Sequence, residues 1–406
     1  MFLLSKYPHL EIDKMGELRI GNHDYRRIIS DYNTPVFVFV GKRIGETCKK
    51  FLEAFKNYPR FLACYSYKTN YLPDLCKIIS SHGIGAEVVS DVELELALRC
   101  KVPPDQIILN GPYKSDRLLK RAISNGIKLI NIDSLNEIPR INKIAQKKNT
   151  KQNIGITLRK NEKAKIGISI SERTLFLIKK SLSKAKNVVL SCVHSHMGTQ
   201  IIKRKNYELN LKTAARYAEE LKRKLNIDIT SLDLGGGFPE MAVIGDQLED
   251  IARRIIHTAS RLDKEYELVF EPGRFIIGDS CVLLSRIHSV KDGALRWILL
   301  DAGTNILSKA SKSNYRILIA DKLEHRYTVP TNIGGPLPTE IDVIAKNYPL
   351  PKAIEEGDSV AILNSGAYTV SLSSQFCQLR PPVLLIDDHG IKVIKKKETL
   401  EKDILG

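Results

Sequence analysis

No stretch of this chain approaches the roughly 18 consecutive apolar residues that a membrane span requires, and Met1-Phe-Leu-Leu4 is too short for the core of a signal peptide. These absences lead us to expect a cytoplasmic protein without a membrane partner. Paired cysteines are missing as well. The seven present (Cys48, Cys64, Cys76, Cys100, Cys192, Cys281, Cys377) are odd in number and scattered. That pattern excludes a secreted disulfide framework and a close-spaced zinc site, so no metal is expected. Acidic residues are in the minority, 46 against 63 Lys and Arg, giving a formal charge of +17. The basic runs Lys147-Lys148, Lys203-Arg-Lys205 and Lys395-Lys-Lys397 have no interleaved aromatics. They read as solvated surface, and no nucleic-acid partner is expected.

With 406 residues, 43% of them hydrophobic and 27% charged, the chain is folded and too long for one core, so two domains are expected. Short β-branched or apolar runs alternate with helical stretches: Phe61 to Tyr67, Ala86 to Val89, Ile107 to Leu109, Leu129 to Ile132, Ile154 to Leu158, Val188 to Val193, Leu232 to Leu234 and Leu268 to Phe270. Between them, segments such as Asp91 to Leu98, Ser115 to Ser124 and Tyr207 to Leu225 place apolar residues at helical spacing. Eight strand-then-helix units predict an α/β fold, a parallel (β/α)8 barrel of TIM type. After about residue 275 the text becomes strand-rich, through Cys281 to Val290, Trp297 to Leu300, Ser359 to Leu363, Pro382 to Ile386 and Ile391 to Ile394. The expected division is a segment over 1–35 packing with a β domain, a barrel over 36–275, and a mostly β C-terminal domain over 276–406.

Chemistry in such a barrel gathers at the C-terminal ends of the strands, with phosphate commonly bound after strands seven and eight. Four polar signals share that address. Lys68 closes the first apolar run, as a candidate Schiff-base lysine. His194-Ser-His-Met-Gly-Thr-Gln200 follows the sixth run, Asp233-Leu-Gly-Gly-Gly-Phe238 the seventh, and Glu271-Pro-Gly-Arg274 the eighth. Alone, a triple glycine is a turn and a lysine is surface; for His194 core packing is the better reading. Together, a pocket lysine and a phosphate anchor suggest pyridoxal 5′-phosphate, an electron sink for a bond broken at an amino acid's α-carbon. Glu271 is placed to hold the pyridine nitrogen's proton. Gly235, Gly236 and Gly237 let backbone N–H groups approach phosphate, and Arg274 adds a charged contact.

These motifs resemble the diaminopimelate and ornithine decarboxylase family, pyridoxal enzymes of the alanine-racemase-type barrel, from about Tyr65 to Pro382. Tyr65-Ser-Tyr-Lys-Thr-Asn70 is similar to the family's cofactor-lysine segment, which implies that Lys68 binds the cofactor. Gly85-Ala-Glu-Val-Val-Ser90 is similar to a segment whose usual aspartate is here Glu87. His196-Met-Gly-Thr-Gln200 resembles the motif whose histidine, here His196, stacks on the cofactor ring and whose hydroxyl, here Thr199, reaches the phosphate. Gly235 to Gly237 with Gly273 and Arg274 match the phosphate site, Glu271 the pyridinium partner, and Tyr368 a phosphate-contacting tyrosine. The resemblance implies loss of the α-carboxylate of an amino-acid substrate as carbon dioxide. It also implies a homodimer in which Asp342 acts across the interface.

Three departures stand out. Gly335-Pro-Leu-Pro-Thr-Glu-Ile-Asp342 has Pro338 where the family carries a proton-donating catalytic cysteine, and Cys377 is a candidate substitute. Arg159 and Lys309 fall in segments that bind substrate, but Lys309 stands where diaminopimelate enzymes carry an arginine, keeping charge without the bidentate fork. Gly335-Pro-Leu-x-Thr339 and Asp301-Ala-Gly-x-Asn305 also resemble relatives that decarboxylate an amino acid on an acidic acyl-carrier protein, a partner the basic charge would suit. An amino-acid racemase and a catalytically impaired cofactor-binding protein are the remaining alternatives.

Overall fold

The computed structural model describes residues 4–245 and 247–406, in two compact units. Residues 48–239 and 246–273 form one unit. Its eight strands are β1 (Phe61–Ser66), β2 (Gly85–Val88), β3 (Ile107–Leu109), β4 (Leu129–Ile132), β5 (Gln152–Thr157), β6 (Val188–His194), β7 (Ser231–Asp233) and β8 (Glu267–Phe270). They are parallel and close in chain order, β8 pairing with β1. The expected TIM-like barrel is therefore the fold observed. Its strands read as continuous apolar runs because both faces are covered, inward by barrel side chains and outward by helices. Between strands, Ser-capped helices start cleanly: Ser90, Ser115 and Ser171 accept hydrogen bonds from the backbone N–H of Glu93, Leu118 and Thr174.

The other unit comprises residues 1–47, 240–245 and 274–406. Its main sheet runs in the order Val343–Leu350, Val329–Gly334, Arg296–Leu300, Cys281–Lys291, Val36–Val40, Val383–Asp387 and Gly390–Lys395, with Ser359–Leu363 and Arg316–Ile319 branching from Cys281–Lys291. It is the mostly β second domain that the strand-rich C-terminal text predicts. Val36–Val40, grouped with the barrel by the sequence reading, lies in this sheet instead. All five residues of Val-Phe-Val-Phe-Val are buried, flanked by Cys281–Leu284 antiparallel and Val383–Ile386 parallel. Its strand-then-helix text imitates a barrel unit, but its pairing partners lie in the C-terminal part of the chain.

One buried ion pair ties three segments of this β unit. Asp279 Oδ2 accepts from Arg43 Nη2 at 2.7 Å and from the Ala242 N–H at 2.8 Å, and the paired side chains are 3% and 0% exposed. Removing one partner leaves an uncompensated buried charge. Arg43→Ala is expected to destabilise the protein by about 3–5 kcal/mol, measured as a lower denaturant midpoint with secondary structure retained.

Candidate active site

The register brings the polar residues to one rim of the barrel. Ser66 pairs with Glu87 across β1 and β2, and His194 with Asp233 across β6 and β7. Lys68 sits in a 3-10 turn, Tyr67–Thr69, that begins as β1 ends. The buried Tyr65 hydroxyl fixes that turn by donating to the Asn70 carbonyl at 2.9 Å. Lys68 Nζ donates to Glu87 Oε2, and the Ser66 hydroxyl donates to the same oxygen. Burial alone would raise Glu87's pKa, but the charge of Lys68 and the hydrogen bonds from Lys68 and Ser66 outweigh it, and the net shift is downward. Glu87 Oε1 is buried and has no hydrogen-bond partner among the described residues.

A second polar chain crosses the barrel. Asn110 follows β3 and donates to Glu271 Oε1 at 2.6 Å; Asn131, in β4, donates to Asn110 Oδ1 at 2.9 Å and to Asp233 Oδ2 at 2.8 Å. Burial, reinforced by the negative charges of Asp233 and Glu87, pushes Glu271 well above the carboxylate range. Asp233 is raised to about 6, also mainly by burial. Both carboxyls are thus pushed toward their protonated forms. His194 lies beside it, its Nε2 4.0 Å from Glu271 Oε1, and burial lowers its pKa.

The glycine turn after β7 is held from both sides. Asp233 Oδ1 accepts from the Gly235 N–H at 3.0 Å, and the Gly235 carbonyl accepts from the Glu271 N–H at 2.8 Å. Gly235 adopts φ +64°, and a Cβ there would stand 2.4 Å from His196 Nδ1, so only glycine fits. His196 Nδ1 accepts from the Gly236 N–H at 3.2 Å. The imidazole is reachable from the open barrel mouth, yet desolvation, with the positive charge of nearby groups such as Lys68, lowers its pKa to about 4. A Cβ on Gly273 would meet Thr69 Oγ1 at 2.2 Å, so the segment after β8 packs directly on the lysine turn.

The structure therefore gathers Lys68, Glu87, His196, Gly235 to Gly237, Glu271 and Gly273 in the barrel unit. Thr199 and Arg159 are exposed in loops of that unit, Arg159 Nε donating to the Gly167 carbonyl at 3.3 Å. The β unit holds the others. Arg274 is buried and donates from Nη1 to Glu240 Oε1 at 2.9 Å; its guanidinium carbon lies 5.2 Å, and Lys309 Nζ 4.6 Å, from the centroid of Tyr368. Burial, with repulsion from Arg274 and Lys312, lowers the pKa of Lys309. Asp342, expected to act on substrate, is engaged within its own loop: Oδ1 accepts from the Thr304 N–H at 2.7 Å and Oγ1 at 2.8 Å, and Oδ2 from the Leu337 N–H at 2.8 Å. Those bonds clasp the Gly335 to Asp342 loop onto the Gly303–Thr304 turn. Cys377, exposed with φ +58°, lines a cavity of ≈ 720 Å³ together with Gly335, Pro336 and Leu337.

Sequence reasoning missed Ser66, Asn110, Asn131 and the role of Asp233. Ser66 and Asp233 lay inside quoted motifs, but no periodicity marks a hydrogen-bonding role for a single side chain inside a barrel.

The residues present fit a pyridoxal cofactor. A glycine turn that admits no Cβ, a buried carboxyl pushed toward its protonated form, and a lysine paired to a carboxylate with one unpartnered oxygen suit the phosphate, pyridine and aldehyde ends of that molecule. A closed parallel barrel bearing this set is the architecture of a pyridoxal-type lyase. Residues 42–278, more than half of the chain, match the family described as pyridoxal-dependent decarboxylase, pyridoxal binding domain, and the chain belongs to that family. It is 29% identical to the diaminopimelate decarboxylase of Aquifex aeolicus, over 99% of this chain and 98% of that one. The corresponding figures for the Methanothermobacter thermautotrophicus diaminopimelate decarboxylase are 27%, 98% and 97%. The crystal structure of Methanocaldococcus jannaschii diaminopimelate decarboxylase in complex with L-lysine superposes with TM-score 0.88 at 26% identity, covering 99% of both chains. The protein is an amino-acid decarboxylase, a carboxy-lyase. No helix among the described residues is long and apolar enough to cross a membrane.

Glu93, on the helix after β2, closes the turn that follows the strand, its carboxylate accepting from the Val89 N–H at 2.7 Å while Ser90 caps the Glu93 N–H. Burial raises its pKa to about 7. A raised carboxyl contributes stability below its unfolded pKa and loses it as pH rises through the folded value. Between pH about 4.5 and about 7, wild type should lose stability relative to Glu93→Gln, compared by urea titration at both ends of that window.

Proposed function

We propose that this chain decarboxylates diaminopimelate to lysine in the cytoplasm, with pyridoxal 5′-phosphate held at the barrel mouth by Lys68. The observation that carries the reading is the pairing of Lys68 with buried Glu87 on the same barrel rim as the Gly235 to Gly237 turn and the protonated Glu271. When bound, the cofactor supplies an electron sink for the bond to the departing carboxylate. Glu87 and Ser66 orient Lys68 Nζ for covalent attachment. The glycine turn, its Gly235 and Gly236 N–H groups held by Asp233 Oδ1 and His196 Nδ1 and with no room for a Cβ, shapes the space for the phosphate. The Glu271 carboxyl holds the proton that a pyridine nitrogen takes, and His196 restrains the ring from one face.

The substrate is favoured by charge. In the β unit the Arg274 guanidinium over Tyr368 is paired with Glu240, and Lys309 over the same ring supplies the positive charge. A second carboxylate neutralises that charge; diaminopimelate has one, and ornithine and lysine do not. The nearly full-length relatives support the same substrate by their names. They offer no support for the carrier-linked substrate. A homodimer is supported by the resemblance and by the loop tip, where Pro338 is exposed and Ile341 is 82% exposed.

Carbon dioxide release should appear with diaminopimelate and not with ornithine, lysine or arginine; release from another member of that panel alone overturns the substrate. Borohydride trapping with the cofactor, followed by peptide mapping, should label Lys68, and a label elsewhere removes the mechanism. Lys309→Ala should raise KM for diaminopimelate roughly ten- to a hundredfold, the loss of one hydrogen bond to a charged group, while Lys309→Arg retains binding. Cys377→Ala tests the proton-donor role left by Pro338: unchanged turnover assigns that proton to another group.

A further inference from the structure

Asp233 is 0% exposed and bonds toward both ends of the cradle. Oδ1 accepts from the Gly235 N–H at 3.0 Å, and Oδ2 accepts from Asn131 at 2.8 Å, whose amide also donates to Asn110 at 2.9 Å, which in turn donates to Glu271 at 2.6 Å. We propose that Asp233 is a positioning residue that couples the two ends of the cofactor, setting the glycine turn for the phosphate and the Glu271 carboxyl for the pyridine nitrogen. The inference rests on the reading that this cradle takes pyridoxal phosphate.

Three observations carry it beyond packing. Nearest polar atoms of Asp233, Glu271 and His194 lie within 4.8 Å of one another, so the two carboxyls meet in a water-poor interior. A bare second carboxyl there is unfavourable unless it holds something. The bridge also has a built seat: Gly155 lies so close that a Cβ on it would stand 2.0 Å from Asn131 Oδ1. Finally, Glu271 Oε1 accepts from Asn110 and Asp233 Oδ2 from Asn131, so both carboxyls are seated on one chain of amides. The groups facing the pair are Glu87 from β2, Lys68 after β1, His194 from β6, Cys64 from β1 and Cys192 from β6. Among these, Lys68 is the positive charge, and it is hydrogen-bonded to Glu87. Asp233 therefore stands in the amide chain that fixes the Glu271 carboxyl, where it would orient that group for a ring nitrogen.

The test uses the full chain, wild type and Asp233→Asn, reconstituted with pyridoxal phosphate or with pyridoxal. Cofactor affinity reads the phosphate end, and the 15N resonance of ring-labelled cofactor, titrated with pH, reads the pyridine end. Asp233→Asn is expected to weaken pyridoxal phosphate at least about tenfold while affecting pyridoxal less, and to move ring deprotonation to lower pH. Asn131→Ala breaks only the bridge, so it should move the ring titration and spare the phosphate preference; it decides the matter if Asp233→Asn does not fold. Wild-type affinity and an unmoved ring titration in Asp233→Asn overturn the proposal, as does an unmoved ring titration in Asn131→Ala. Failure of wild type to bind pyridoxal phosphate removes instead the reading on which it rests.

Discussion

Three carboxyls, Glu87, Asp233 and Glu271, are desolvated together at one end of a closed barrel, and the rest of the site is arranged around that constraint. Leaving any of them charged and alone in so little water would cost several kcal/mol, on the order of the penalty for a buried ion. The protein meets the problem in two ways. Lys68 and Ser66 donate to Glu87 and hold its pKa down, while burial and the charges of Asp233 and Glu87 push Glu271 up. Carboxyls of the same intrinsic chemistry are thereby pushed in opposite directions at one rim. That separation marks the functional ends: an anion beside an amine, and an acid beside the place of a basic nitrogen.

Barrel topology makes this crowding possible. In a parallel barrel every strand presents its C-terminal end to the same rim, so one polar residue per strand suffices to build a site from distant segments. The pairings give the mechanism in detail. Glu87 is level with Ser66 on β1, and Asp233 with His194 on β6; Val269, level with Asp233 on β8, precedes Glu271 by two residues. Two residues along a strand return to the same face. The charges meet because the register leaves them no other neighbours, and the hydrogen-bonded asparagines fill the gap across the barrel.

The barrel was legible because its strands are short apolar runs between helices with matching period and clear Ser caps, and Ile107–Leu109 and Leu129–Ile132 fall where the text puts them. The β unit was less so. Val36–Val40 is buried on both faces and precedes a helix, so it reads like a barrel strand; its true neighbours are more than 240 residues away along the chain. Val329–Gly334 and Val343–Leu350 escape a sequence reading because Pro330, Asn332, Lys346, Asn347 and Pro349 break the alternation that marks a strand, and Arg316–Ile319 because it is only four residues long. In the site, lysine, glycine and glutamate motifs carry a chemical signature that survives in one dimension. Asn110 and Asn131 carry none: an asparagine at the end of an apolar run looks like a turn signal until the barrel closes and gives it a carboxyl to bond.

The departures from the family pattern are not equivalent in physical terms. Replacing an aspartate with Glu87 adds a methylene, and the structure uses the extra reach to bring Oε2 against both Lys68 and Ser66 while Oε1 remains buried without a partner. Lys309 keeps the sign of the charge, and burial, with repulsion from Arg274 and Lys312, lowers its pKa. Pro338 changes the chemistry outright, since proline carries no side-chain proton. Its loop is nevertheless held as firmly as any functional loop, by three hydrogen bonds to Asp342. A loop that had lost its purpose would have little reason to bury a carboxylate for its own support. The Asp342 side chain makes the Gly335 to Asp342 loop a fixed turn, and that function of the loop needs no side chain at position 338 beyond the backbone restriction that proline itself supplies.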